Sequence, residues 1–450
     1  MVGVETQSIL DIIDNNEKLT NVQRLGINLT ALSEYVDGYS LIGFGSALIF
    51  LGPYFHISAY LLGVSGAAAF VGMALGLIVS GYFTDKLGRR KIFVWSLVFF
   101  VILSILSALM FSATELIIMR LLIGATIGID IPASLAYLAE VSPKRKRGRY
   151  TGAFPPLDWT LGVITSAIVA LVAYEIVGDS AWRIIVGFAA IPAFVVVMLR
   201  RELPESPRWL LTKGRRDEAK MSFSRLGYNN GVIPEKFELP NSRFTDMFKK
   251  PYGIRIVASS SLWFLNCLSA GLVTVSEPFV LRYIGFVSIA DTFIFTAITW
   301  VFSFLGTLLG FYLIDKIGRK KVSYVGAIPS GIVALFMGLF FLHNSLVLPY
   351  LFIALGFFDW LGTSAPQWGW GSELFPTRLR GKTQGFCNSW CRWALALNVF
   401  LIPAVIVLGL TAFKSLIVIF AVLYFIYSAV IYIFPFLETK GKSLEEISPN

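Results

Sequence analysis

The chain has 450 residues, of which 56% are hydrophobic and only 15% are charged, and its mean hydropathy is +0.71. A soluble domain carries about 25% charged residues, so this composition excludes an ordinary soluble protein and indicates an integral membrane protein. The formal net charge is +10, but most Lys and Arg residues fall in alternate predicted loops. We therefore interpret the basicity as a signal of membrane topology, with both termini in the cytoplasm, and expect no nucleic-acid partner.

Apolar windows of about 20 residues, long enough to cross a hydrocarbon core of ~30 Å, recur along the whole chain. A polar tail at 1–28, without the apolar core of a signal peptide, precedes six of them, and a hydrophilic linker at 201–253 separates these six from six more. We predict a bundle at 29–200, a second at 254–436 and a cytoplasmic tail at 437–450. The twelve predicted spans are 29–51, 60–83, 92–111, 115–139, 150–173, 182–200, 254–281, 291–314, 322–342, 348–372, 384–409 and 415–436.

The first span contains two acidic residues, Glu34 and Asp37. The apolar run that follows them is too short to cross a bilayer, so the helix has to extend upstream and carry both acids into the membrane. At helical rise, Asp37 lies roughly 12 Å above the inner boundary, and Arg120 of the fourth span lies roughly 7 Å below the outer one. We predict that Asp37 and Arg120 form a proton-coupling pair, with a fixed structural ion pair as the alternative.

Two short motifs occur once in each half of the chain with nearly the same separation. The charged turn at 81–91 returns at 311–321, and the Glu-x-x-Pro-x-x-x-Arg-Gly stretch at 140–148 returns at 373–381. Two unrelated motifs that keep one separation indicate an internal duplication. The predicted fold is therefore all-α, with twelve transmembrane helices in two six-helix bundles related by pseudo-two-fold symmetry.

These motifs, with the Pro-Glu-Ser-Pro-Arg-Trp-Leu stretch at 204–210 and the Glu-Thr-Lys-Gly-Lys tail at 438–442, resemble the major facilitator superfamily and its sugar porter branch. The resemblance covers nearly the whole chain. It implies a secondary transporter in the cell membrane that works by alternating access, and we expect a monomer in the lipid bilayer. It also implies a gating network at the inner face, although simple topological anchoring is an alternative. Its members are Asp85, Arg89, Glu140, Arg147, Asp315, Arg319, Glu373 and Arg380.

The same resemblance places the substrate site, with several departures from the family pattern. Aligned on Glu277, the family's Gln pair in the seventh helix falls on Trp263 and Phe264, and its Asn falls on Ser269. Trp368 matches a Trp that stacks on sugar rings. The usual acid of the first helix falls on Ser40, and Asp37 lies one turn earlier. The full set of expected substrate-binding residues is Asp130, Asp158, Trp263, Phe264, Ser269, Trp368 and Arg392.

Because of Arg392, the sequence leaves open whether the substrate is charged. An Arg in the eleventh helix is similar to a feature of transporters of organic ions and anions, and the sequence around Asp130 is similar to that of phosphate and aromatic-acid symporters. Alternatively, Arg392 neutralises Asp359 or Glu277. We predict a proton-coupled transporter of a sugar or related polyol, with an organic acid or phosphate symporter as the alternative and a non-transporting nutrient sensor as a remote one. No Walker motif or metal-ligand cluster is present, so we expect no enzyme activity, cofactor or metal.

Overall fold

The computed structural model describes residues 18–143, 154–228, 244–284, 288–340 and 347–440, and within these ranges it leaves the side chains of Tyr82, Asp85, Ile284, Ser372, Thr377, Arg378 and Arg380 undescribed. Throughout these ranges the regular structure is helical and no strand occurs, as predicted. Arg147 lies outside the described residues. The gating roles of Asp85 and Arg380 depend on side chains that are not described.

The first half contains helices α1 to α9. They are α1 (Asn21–Phe55), α2 (Ala59–Leu87), α3 (Arg89–Ala108), α4 (Ala113–Val141), α5 (Phe154–Val177), α6 (Ala181–Phe188), α7 (Ala190–Arg200) and the linker helices α8 (Pro207–Thr212) and α9 (Arg216–Arg225). The second half contains α10 (Tyr252–Thr274), α11 (Glu277–Ile284), α12 (Ile289–Ile317), α13 (Arg319–Phe340), α14 (Leu348–Glu373), α15 (Thr377–Val407) and α16 (Leu410–Ile433).

Eleven apolar helical stretches in the described ranges are long enough to cross a membrane. One of them, Phe154–Arg200, is 47 residues long and contains two of the predicted spans, so the helices match all twelve predictions. The first helix begins at Asn21 rather than at 29 because Thr20 and Gln23 form a capping box there. Helix formation in α1 therefore starts well before the apolar run.

Two predicted spans are each broken into two helices, and a proline explains both breaks. Proline clashes with the carbonyl four residues earlier. Pro278 accordingly stands four residues after Thr274, where α10 ends, and Pro192 stands four residues after Phe188, where α6 ends. The seventh span thus bends between Thr274 and Glu277, beside the contact between the two bundles.

Small residues allow close helix crossings at corresponding places in the two bundles. A Cβ on Gly124 of α4 would overlap the carbonyl oxygen of Ala69 in α2, and one on Gly306 of α12 would overlap that of Phe357 in α14. Backbones approach this closely only where no side chain intervenes. The duplicated sequence therefore forms the same helix pair twice.

The bundles contact each other mainly through α2 with α15, α5 with α12 and α1 with α11. We call the end that carries Thr20, α8, α9 and Leu437 the linker face, and the other end the opposite face. Towards the opposite face the contact is tight, because a Cβ on Gly45 would overlap the carbonyl oxygen of Val275 and one on Gly63 would lie 2.8 Å from that of Phe400. The bundles are therefore closed against each other on that side.

Candidate functional site

A cavity lies between the two bundles at mid-depth. Its first-half lining comes from α1 and α5, and its second-half lining comes from α10, α14 and α15. Several lining residues belong to the halves of their helices nearer the linker face, among them Glu34, Pro156 and Gln367. The described lining residues are Glu34, Pro156, Trp159, Trp263, Asn266, Cys267, Ala270, Thr274, Asp359, Trp360, Thr363, Ser364, Gln367, Trp368, Cys391, Arg392 and Leu395.

Tryptophan rings form two walls of the cavity. Trp159 of the first bundle stacks on Trp360 of the second, with ring centroids 5.1 Å apart and planes 24° apart, and the buried Trp300 meets Trp159 edge-on at 5.4 Å. Trp263 and Trp368, both expected from the sequence, meet edge to face at 5.9 Å. Indole rings at these positions offer flat apolar surfaces with one N–H donor each.

Asp359 is the centre of a polar cluster in the cavity wall. Its Oδ1 atom accepts hydrogen bonds from Asn266 Nδ2 at 2.8 Å and from Tyr424 Oη at 3.1 Å. Gln367 lies on the same face of α14 as Asp359, and its side-chain amide donates a hydrogen bond to the carbonyl oxygen of Leu262 at 3.3 Å. These groups hold α10, α14 and α16 together and leave amide and carboxylate atoms at the cavity surface.

The sequence alone missed Asn266, Asp359 and Gln367 as site residues. Alignment on Glu277 placed the family's Gln pair on Trp263 and Phe264, whereas the amide that lines the cavity in α10 belongs to Asn266. A usable signal was present, because cavity-lining positions recur in α10 and α14 at intervals of three and four residues, the spacing of one helix face.

Arg392 lies in the cavity wall and is only 5% exposed. Among the residues that the structure describes, no carboxylate oxygen is within 4.0 Å of its guanidinium, and its Nε atom has no hydrogen-bond partner. Asp359 instead bonds Asn266 and Tyr424. The interpretation of Arg392 as a neutralising partner for Asp359 or Glu277 is therefore wrong for this conformation.

The structure does not bring Asp37 and Arg120 into an ion pair. Arg120 is buried, its Nη1 atom lies 3.3 Å from the carbonyl oxygen of Ser40, and its guanidinium stands 4.1 Å from the ring centre of Phe44. Asp37 is 1% exposed, and its Oδ2 atom has no partner among the described residues. The two charges share one region of the first bundle without contact, so a fixed ion pair is excluded here.

Asp130 is a correction to the predicted substrate site. Its carboxylate pairs with Arg200 at 3.2 Å and accepts hydrogen bonds from Ser96 at 2.9 Å and Ser134 at 3.0 Å. Arg200 also donates to the carbonyl oxygens of Leu29, Thr30 and Phe93. Asp130 does not line the cavity, because its carboxylate is bound within this network inside the first bundle.

Three other expected substrate residues lie outside the cavity lining. Asp158 is half-buried near the start of α5, and Phe264 packs against Trp390 with ring centroids 6.1 Å apart. Ser269 is buried, and its hydroxyl donates to the carbonyl oxygen of Leu265 within α10. Helix rotation explains these misses, since residues only one or two positions away from lining residues point elsewhere.

The predicted gating residues at the linker face form ion pairs within each bundle. Arg89 pairs with Glu140 at 3.0 Å, and Arg319 pairs with Glu373 at 2.7 Å and with Asp315 at 3.5 Å. The sequence missed Glu205 and Glu438, which accept hydrogen bonds from the backbone N–H groups that begin α3 and α13. Glu205 lies in the motif at 204–210 and Glu438 in the motif at 438–442, but the spacing of these motifs along the sequence did not predict which groups the two side chains would bind. Burial raises the pKa of Glu205 above its ordinary value of 4.5.

A profile described as "Sugar (and other) transporter" matches residues 18–450. The chain belongs to the sugar transporter family. Membership makes this chain a membrane protein that moves small solutes and is not an enzyme.

Individual relatives agree with this assignment. The transporter is 28% identical over 435 residues to the arabinose-proton symporter of Bacillus subtilis, with 91% of each chain covered. It is also 28% identical over 452 residues to the major myo-inositol transporter IolT of the same species, with 92% of this chain and 91% of the relative covered.

A solved structure shows the same fold. The xylose transporter XylE from E. coli, in a partially occluded inward-open conformation, superposes with a TM-score of 0.79 at 21% identity, covering 94% of this chain and 100% of XylE. The predicted architecture of two six-helix bundles is confirmed.

Proposed function

We propose that the protein is a proton-coupled symporter for a sugar or related polyol that works by alternating access. The observation that carries this proposal is the cavity between the bundles, which combines tryptophan surfaces with amide and carboxylate groups. Sugar rings have apolar C–H faces and polar hydroxyl edges, so this mixture suits them. The printed functions of the arabinose-proton symporter and the myo-inositol transporter support the same substrate class.

The division into bundles supports rocking about the cavity. The helices are packed together towards the opposite face at Gly45 and Gly63, whereas several lining residues lie towards the linker face. The first and last described residues and the charged turns that begin α3 and α13 lie at the linker face, so we propose that this face is in the cytoplasm of a cell-membrane protein. The bundle limits remain 29–200 and 254–436, with the linker at 201–253 between them.

Two carboxylates of α1 are candidates for proton coupling. Asp37 has an unpartnered Oδ2 atom among the described residues, and Glu34, one turn earlier, lines the cavity. A buried negative charge in a membrane is costly, and binding a proton removes that charge, so such acids are suited to binding and releasing protons. We propose Asp37 as the coupling acid, with Arg120 as the cation that responds to its charge, and Glu34 as the group that connects Asp37 to the cavity.

The experiment is uptake of labelled hexoses, pentoses, inositol, phosphate and small organic acids into proteoliposomes, with and without an inward proton gradient. We expect accumulation of a hydroxylated solute that requires the gradient. Asp37→Asn should abolish this accumulation while leaving exchange partly intact, and Glu115→Gln, at the surface cap of α4, should change neither. Binding without uptake would instead indicate a sensor, and undiminished accumulation by Asp37→Asn would contradict the coupling role.

A second candidate function is symport of an organic acid or phosphate. It is favoured by one observation, the cavity-facing Arg392 with no carboxylate within 4.0 Å among the described side chains. Uptake of phosphate or a small organic acid with no uptake of any neutral sugar would favour this candidate.

A further inference from the structure

We infer that the cavity binds a polyhydroxy carboxylate, a sugar-like molecule with a single carboxylate such as a uronate or an aldonate. This inference rests on the proposed function, because it names the substrate class of the same transport site. It is more specific than either candidate above, since it requires the hydroxyl-binding groups and Arg392 to act on one molecule.

Arg392 carries the first step of the argument. Arg392 is 5% exposed as a residue, and burying a guanidinium is expensive unless an acceptor compensates for its lost hydration. In the described part of the chain no carboxylate lies within 4.0 Å of it, and its Nε atom lacks a partner. A substrate carboxylate would bind the planar guanidinium through two parallel hydrogen bonds.

The remaining polar groups of the cavity suit hydroxyls. Asn266 and Asp359 lie on one wall and Glu34 lies on another, so carboxylate and amide oxygens are available to accept from substrate O–H groups. Trp263 is 5% exposed, and its Nε1–H has no partner among the described residues, so it is available to donate to a hydroxyl oxygen. A simple carboxylic acid would leave most of these groups unused.

Charge balance distinguishes a monoanion from the dianion of phosphate. Among the described lining residues there is one cation, Arg392, and there are two acids, Glu34 and Asp359. A dianion would meet one compensating charge and two like charges, and like charges in a site of low dielectric repel strongly. A single carboxylate, whose charge sits at one end of a neutral hydroxylated body, can approach Arg392 while its other end faces the acids.

A stripe of polar side chains on α15 leads from Arg392 towards the linker face. Gln384, Asn388 and Arg392 are four residues apart and therefore share one face of the helix. Asn388 is 1% exposed, and neither polar atom of its amide has a partner in the described ranges, nor does Oε1 of Gln384. These buried amides extend the set of unsatisfied polar groups beyond Arg392 on the same helix face.

The test uses three competitors of nearly the same shape against uptake of the best labelled solute: glucuronate, its uncharged analogue glucuronamide, and glucose. We expect the wild-type protein to bind glucuronate at least tenfold more tightly than glucuronamide. Arg392→Gln should remove that preference by weakening glucuronate at least tenfold and glucuronamide less than threefold. Arg183→Gln is the matched control, because Arg183 lies away from the cavity and donates to the carbonyl oxygen of Ala108.

Equal competition by the three compounds in the wild-type protein would overturn the inference while leaving transport of hydroxylated solutes intact. Equal weakening of acid and amide by Arg392→Gln would overturn it as well, because it would show a purely structural role. Arg392→Lys keeps the charge and should retain part of the preference, so a folding defect in Arg392→Gln does not block the test. Failure of the proposed function is a separate result, namely that no hydroxylated solute is taken up at all.

Discussion

The carboxylate of Glu438 lies 3.1 Å from the backbone nitrogen of Arg319 and accepts a hydrogen bond from this first N–H group of α13. Glu205 stands in the same relation to Arg89 at the start of α3, at 3.0 Å. The glycines before these helices, Gly88 and Gly318, have φ values of +101° and +93°, and a Cβ on either would collide with the capping carboxylate. The internal duplication therefore extends to a pair of helix caps supplied by distant segments.

These caps give the first prediction. Replacing Glu438 or Glu205 by Ala leaves N–H groups at a helix start without an acceptor and removes a negative charge from the positive end of the helix dipole. We expect each change to cost about 1 kcal/mol of stability, measured by thermal unfolding in detergent. Glu202→Ala is the control, because the Glu202 side chain is 69% exposed. Equal effects of all three substitutions would contradict a capping role.

The second prediction concerns pH. Burial raises the pKa of Glu205, and hydrogen bonds from the backbone of Arg90 and Ser206 offset part of that rise. The folded protein therefore takes up a proton at a higher pH than the unfolded chain, so this group's contribution to stability is present at low pH and lost as pH rises through the raised pKa. The stability of the wild type relative to Glu205→Gln should fall as the pH rises above the ordinary glutamate pKa of 4.5. A pH-independent difference in melting temperature would contradict this.

The third prediction separates structure from substrate binding at Asp130. Asp130→Ala leaves Arg200 charged and buried, so we expect a loss of about 3–5 kcal/mol, seen as reduced yield and melting temperature. Replacing both partners with apolar residues, Asp130→Leu with Arg200→Met, should cost less than Asp130→Ala because no unpaired charge remains. If Asp130→Asn instead raised the KM for substrate without lowering the melting temperature, Asp130 would belong to the binding site.

The fourth prediction concerns the tryptophan contact between the bundles. Trp159→Ala removes the ring that stacks on Trp360 and meets Trp300, so it should loosen the closure towards the opposite face. Cys267 and Cys391 line the cavity and report on its access. A membrane-impermeant maleimide applied from the opposite face should label them several-fold faster in Trp159→Ala than in the wild type. Trp95→Ala is the control, because Trp95 is 58% exposed on α3. An equal labelling rate in all three proteins would contradict a role of Trp159 in closing the cavity towards the opposite face.

Most of the helical architecture could be predicted from the sequence because it depends on local properties. Runs of apolar residues set the spans and repeated charged turns marked the two halves, although the proline breaks that end α10 and α6 were not predicted. The family resemblance gave Arg89, Glu140, Arg319 and Glu373 as members of a charged network, and the structure supplied their pairing. Trp263, Trp368 and Arg392 were expected at the substrate site, and the structure brings all three to the cavity.

The partners of the buried polar groups were decided only by the tertiary structure. Whether Asp130 faces the cavity or Arg200, and whether Asp359 meets Arg392 or Asn266, depends on the rotation of each helix about its axis. One residue along a helix turns a side chain by about 100°, so a small error in register exchanges a lining residue for a packing one. The amino-acid order determined which charges enter the membrane, and helix packing determined which of them were already paired and which, like Arg392, remained available to a substrate.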